Sequence, residues 1–226
     1  MKHAQMKHAK TLMCGAALSA VLLFAPAAFA GPPLLCHPFD TAGAPTLDWG
    51  GRGWNEPRRD YDLSKLVANT SVLLTPQTPV IARMETLRRA AIYASRNGQV
   101  ARDLAASLES RIARASTPDA KALALFDAGY YAETLQDLVR LQGYDMPGVG
   151  KADTAALRAI VAKGDGSVRI AQALKLRPTD PGMNFAAALV ASADERKADV
   201  ASHTRLARAG MGRDRLVALN MGKISN

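Results

Sequence analysis

Apolar residues spaced three and four positions apart, over most of the chain, constrain this fold more than any other feature of the sequence. Val80, Ile81, Met84, Leu87, Ala91 and Ile92 form one such stripe, and Val100, Leu104, Leu108 and Ile112 continue at four-residue steps. That spacing marks amphipathic helices, and the alternation of period two that marks strands is missing. Thr78-Pro79 reads as an N-cap followed by proline at the first helical position. Asn97-Gly98 reads as a stop, and so short a break predicts an antiparallel hairpin of the two helices it separates. Ser116-Thr117-Pro118 restarts a helix that runs to about Gln142. Its apolar residues cover more than one face, which predicts the most buried helix of the domain. Gly143 to Gly150 reads as a loop. Shorter helices are expected over Asp153–Lys163, Val168–Leu176 and from Asp180-Pro181, and a last long one ends near Ala209. Ser192 and Glu195 stand at capping-box spacing before it. The expected fold class is all-α, with eight or so helices in sequential antiparallel hairpins.

Residues 1–30 follow a different rule. Lys2, Lys7 and Lys10 precede an apolar run from Leu12 to Phe24, and Ala28-Phe29-Ala30 follows Pro26. A basic start, a short apolar run and an A-x-A site make a cleavable secretory signal. The run is shorter than the roughly 20 residues a transmembrane helix needs, so no transmembrane anchor is expected. Cys14 precedes most of the apolar run, which is the wrong place for a lipidation site. Cleavage near Ala30 predicts a periplasmic or extracellular protein. It also lowers the formal charge from +9 to +6. A surplus of that size attracts anionic surfaces without naming a partner. Cys36 is then the single cysteine, so no internal disulfide forms and the fold rests on its apolar core.

Residues 31–60 carry five prolines, several glycines and both tryptophans, with no helical period. They read as an extended arm, pinned to the helical domain of residues 61–226 by Leu34, Leu35, Trp49 and Trp54.

Within that domain, Ala173, Leu174, Leu176, Pro178 and Asp180 follow the pattern of a tetratricopeptide-repeat junction. There a small-apolar helix end is closed by proline, and the next helix begins after Asn or Asp. Ala124 to Tyr131 resembles the first helix of such a repeat, with Gly129 where close packing wants a small residue. The chain resembles exported bacterial proteins with degenerate tetratricopeptide-like (TPR-like) hairpins. The resemblance implies a right-handed superhelix of helical hairpins and a protein- or peptide-binding, non-enzymatic role. It implies no catalytic residues and no cofactor.

The chemistry-bearing residues are few. Cys36-His37 has three readings: a structural pair, a free thiol open to intermolecular pairing or redox modification, and a metal ligand or nucleophile. Adjacent side chains of an extended segment point apart, so His37 is a poor base for Cys36. No spacing predicts a metal site. The arginines Arg83, Arg88, Arg89, Arg96, Arg102, Arg111 and Arg114 read either as a basic groove for an acidic partner or an anionic surface, or as solvated outer faces. Glu85 and Arg89 can pair across one helical turn. Aromatic residues do not interleave with these arginines, so nucleic acid is not expected. Trp49 and Trp54 flank Gly50-Gly51-Arg52-Gly53. They read as packing residues or as a platform for a peptide or sugar ring. The candidate binding residues are therefore Arg83, Arg88, Arg89, Arg96, Trp49 and Trp54, with Cys36 as a free thiol.

Overall fold

The computed structural model describes residues 31–141 and 148–224. The signal segment, Cys14 and most of the 143–150 loop lie outside the described residues. Among those described, every regular element is helical. There are nine α-helices and two short 3-10 turns: α1 Leu66–Leu73, α2 Val80–Ala94, α3 Gly98–Arg114, α4 Pro118–Arg140, α5 Thr154–Val161, α6 Gly166–Leu176, α7 Pro181–Ala193, α8 Lys197–Gly210 and α9 Arg215–Asn220.

The helix starts are set by side-chain caps. Thr117, Asp153, Asp165, Asp180 and Asp214 each accept from the free N–H groups of the helix that follows. Asn97 does the same for α3, accepting from Gln99 and Val100 N–H. It therefore opens a helix where the sequence alone reads as an ending. Two other expectations change. Thr78 does not cap α2, because its hydroxyl turns back to donate to the Leu73 carbonyl at 2.7 Å. The Ser192–Glu195 pair is not a capping box. Ser192 lies inside α7, and Glu195 follows it with φ of +58°. The Arg196 N–H then bonds back to the Ala191 carbonyl at 2.8 Å, the closure of a left-handed helix end.

Helix α4 runs through the middle and touches α2, α3, α5, α6 and α7. It is buried on nearly every side, as its apolar composition requires. Its most extensive partner is α6, and α7 packs in the same manner on α8. By contrast α2 and α3 meet over a short stretch only, and α2 packs mainly on α1 and α4. Glycines allow the α4–α6 approach. A Cβ at Gly129 would lie 2.7 Å from the Gly166 carbonyl oxygen, and one at Gly166 would lie 2.5 Å from that of Gly129.

The arm is part of the core. Leu34 and Leu35 are wholly buried, Leu47 is 2 % exposed and Phe39 is 5 % exposed, in one cluster with the helix interiors. The arm is not extended throughout: Leu35 and Cys36 N–H bond back to the Pro32 carbonyl in a turn at its start, and other buried peptide groups, with no sheet to join, go to side chains. Leu34 N–H donates to Asp137, Phe39 N–H donates to Glu85, and Asn220 takes both peptide groups of Asp40.

Candidate functional site

The sequence's arginine row divides. Arg83 and Arg88 are fully buried, Arg89 and Arg111 are half-buried, and Arg96, Arg102 and Arg114 are exposed. Arg83 points into the core and puts one nitrogen on both carboxylate oxygens of Asp127, at 2.9 and 2.7 Å. It also bonds the Thr75 and Thr78 carbonyls in the turn before α2. Arg88 and Arg89 share Glu85, at 2.7–2.8 Å. Burial works against a charge on Glu85. The two guanidiniums and the Phe39 N–H outweigh it and hold the carboxyl below its ordinary range. From that centre Arg88 reaches the Leu35 and Trp54 carbonyls, and Arg89 reaches the Leu47 carbonyl and the Thr46 hydroxyl. Arg88 and Arg89 bind the chain's own arm, whereas Arg83 ties α2 to α4 and to the turn before it. The burial of Arg83 and Arg88 corrects both readings of those two residues, as a basic groove and as solvated outer faces.

Trp49 belongs to the same assembly. Both guanidiniums lie over its ring, 5.2 and 5.6 Å from the centroid, and Tyr93 meets it edge-on. Its Nε1 donates to the Gly53 carbonyl, closing the glycine loop. Trp54 packs half-buried against the core. Arg96 stands apart, its stem against Gly150. The tryptophans are thus occupied by packing.

Cys36 is half-buried, and burial with the nearby Asp137 carboxylate raises its thiol to about 11. A thiol so raised is almost wholly protonated at neutral pH and is a poor nucleophile. His203 shares a hydrogen bond with Asn184 between α8 and α7. Among the described residues no group of three or more His, Cys, Asp or Glu side chains is placed to hold a metal ion.

A second buried cluster escaped sequence reading. Burial raises Asp137 to about 6, against its bonds from Leu34 N–H and Arg140. Burial, with Asp194 and Asp165 nearby, raises Glu133 to about 7. A carboxyl raised on folding holds its proton better in the native chain than in the unfolded one. Its contribution is complete below the ordinary carboxylate pKa and is lost as pH rises through the native value. The melting temperature is therefore expected to fall between about pH 5 and pH 8. Glu133→Gln should flatten that decline in a calorimetric pH series, and an unchanged slope would exclude Glu133 as its source.

What remains open to solvent is a cleft between α3 and α6, floored by α4. These two helices flank α4 on either side, and α5 closes one end with Ile160. Two hollows of about 650 and 620 Å³ lie end to end along it. Leu125, Ala128, Tyr131 and Ala132 make an apolar floor. From Lys121 to Ala132 the floor helix advances about 17 Å, the length of some five extended residues. The lining carries five cations, Arg102, Lys121, Lys163, Arg169 and Lys175, against one acid, Glu109. Among the described residues only Arg169 of these cations has an ion-pair partner, and that partner is Glu109. A larger hollow, about 940 Å³, runs along α8 from Lys197 to Arg208. Its described walls come from that helix, the turn before it and Ser192 near the end of α7, whereas three helices enclose the α3–α6 cleft.

No family model, curated protein or solved structure matches the chain. Among the described residues no helix is long and apolar enough to cross a membrane.

Proposed function

We propose that this chain is an exported, non-enzymatic binding module whose α3–α4–α6 cleft holds a short acidic and apolar peptide segment. The carrying observation is the cleft's asymmetry: an apolar floor of Leu125, Ala128, Tyr131 and Ala132 in a lining that bears five cations and one acid. An apolar floor binds side chains by burial, and cationic rims select acidic ones and speed encounter. Export rests on the signal pattern of residues 1–30 and places the protein in the periplasm or outside the cell. The TPR-like superhelix of stacked hairpins rests on the junction motif at Ala173–Asp180 and on the small-residue contact at Gly129. Both support a binding role. The thiol- and metal-dependent alternative for Cys36 loses support from its protonated, half-buried thiol. The anionic-surface alternative loses support from the internal placement of Arg83 and Arg88.

Short synthetic peptides test the reading. A labelled peptide of alternating leucine and glutamate should bind in fluorescence anisotropy, and its leucine–lysine counterpart should not. Reversing two exposed rim charges, Lys121→Glu with Lys175→Glu, should weaken binding by roughly tenfold or more at low salt. Equal binding of both peptides, or of neither, would overturn the proposal.

A further inference from the structure

The cleft's single acid has a specific position. Glu109 on α3 reaches across the gap to Arg169 on α6, with Oε1 2.6 Å from a guanidinium nitrogen. The pair crosses the cleft within the hollow of about 650 Å³, which both residues line. Glu109 is 48 % exposed and Arg169 only 22 %. The arginine is also the better fixed of the two. Its stem lies over Gly129 at the closest point of α4 and α6, and its guanidinium lies against the Gly164 turn, donating to that carbonyl at 3.5 Å. The glutamate is a long side chain held at one end.

We propose that Arg169 is the carboxylate receptor of the cleft, and that Glu109 occupies it in the free protein as an internal stand-in for a ligand carboxylate. This rests on the peptide-binding reading above and names the residue that selects within it. An incoming aspartate or glutamate side chain takes the place of Glu109 on the guanidinium. Glu109 then swings to solvent, which it already half meets. Desolvation of Arg169 is thereby already in place before the ligand arrives, because its anion-binding face is never left bare. The arrangement also sets specificity. A neutral or basic segment cannot replace the carboxylate, so it would have to bind over an intact ion pair that crosses its path. An acidic one opens the path as it binds. Exposed ion pairs are worth little, so the barrier is low and the exchange is reversible.

The test uses the full chain and the same leucine–glutamate probe. Glu109→Ala removes the competitor and should tighten binding by about threefold to fivefold. Arg169→Gln should weaken it by roughly tenfold. The double variant separates a specific exchange from a general change of field. If Glu109 acts by occupying Arg169, its removal does nothing once Arg169 is gone. If it acts only as one negative charge on the rim, the gain persists undiminished, and the assignment is overturned. It is likewise overturned if wild type binds the probe and Glu109→Ala leaves affinity unchanged or lowers it, with the peptide-binding reading intact. If wild type and both single variants all fail to bind, the peptide reading falls and this assignment falls with it. A thermal melt of each variant confirms that the cleft is still folded.

Discussion

Glu85→Ala is expected to cost about 3–5 kcal/mol, the loss seen when one member of a buried ion pair is removed and the other stays. A domain of this kind is stable by only about 5–15 kcal/mol in total, so the variant should be close to unfolding. The carboxylate is wholly buried and holds four donors: two from Arg88, one from Arg89 and the Phe39 N–H. Without it Arg88 keeps only the Leu35 and Trp54 carbonyls, at 3.2 and 3.3 Å. Neither carries a charge to set against a guanidinium that cannot release its proton. The cavity left by the carboxylate is the smaller effect. Glu85→Gln separates the two, since it keeps the volume and removes the charge. Glutamine should therefore retain most of the alanine loss in urea denaturation. The loss should also be local before it is global. In native-state hydrogen exchange the Phe39 and Leu34 amides should lose protection ahead of those in α7 and α8. A midpoint shift worth under about 1 kcal/mol would show that Glu85 is not the centre of the arm's attachment.

The buried arginines show where sequence reading stops. Helical spacing in α2 was plain, and so were the helix starts at Thr117-Pro118 and Asp180-Pro181 and the burial of α4. The arm's anchors Leu34 and Leu35 were legible too, because large apolar groups in a segment without period need somewhere to go. What period could not show is that α2 is covered on nearly all of its surface. The cover comes from the arm and from α4, through contacts such as Phe39 to Glu85 and Arg83 to Asp127, which span 46 and 44 positions. Arg83 and Arg88 look like an outer face until that cover is in place. One signal was available. Asp127 and Asp137 interrupt a helix whose other inward positions are mostly apolar, and an acid in such a helix needs a buried donor or cation. Arg83 answers the first, and Leu34 N–H with Arg140 answers the second. The cleft had no equivalent signal. It is a gap between α3 and α6, helices that do not neighbour one another in sequence, and its residues read singly as ordinary polar faces.

The α4–α6 crossing yields the other large effect. Gly129→Ala should destabilise the protein by about 1–3 kcal/mol, although alanine is the better helix former. Two opposing effects decide the sign. Inside a helix, replacing glycine by alanine gains about 1 kcal/mol. Here the new methyl would stand 2.7 Å from the Gly166 carbonyl oxygen, with the Arg169 and Ile170 side chains at 3.0 Å. The nearest obstacle is backbone, so no rotamer change relieves it. The helices must move apart by most of an ångström along one of the two most extensive helix contacts among the described residues. Gly166→Ala meets the reciprocal obstacle at 2.5 Å, together with Glu133. It lies at the first position of α6, where the helix gains least from alanine. It should therefore cost at least as much as Gly129→Ala. The two changes share one gap, so they should not add. Once the first methyl has parted the helices, the second enters space already made, and the double variant should lose clearly less than the sum in a urea-denaturation cycle. Full additivity would mean that the crossing yields separately at each residue, without the helices moving as units. Because Arg169 rests on Gly129, separation of α4 and α6 also shifts the wall of the cleft. Gly129→Ala should then weaken binding of the leucine–glutamate peptide at temperatures where the variant is still folded, which ties the helix crossing to the geometry of the proposed site.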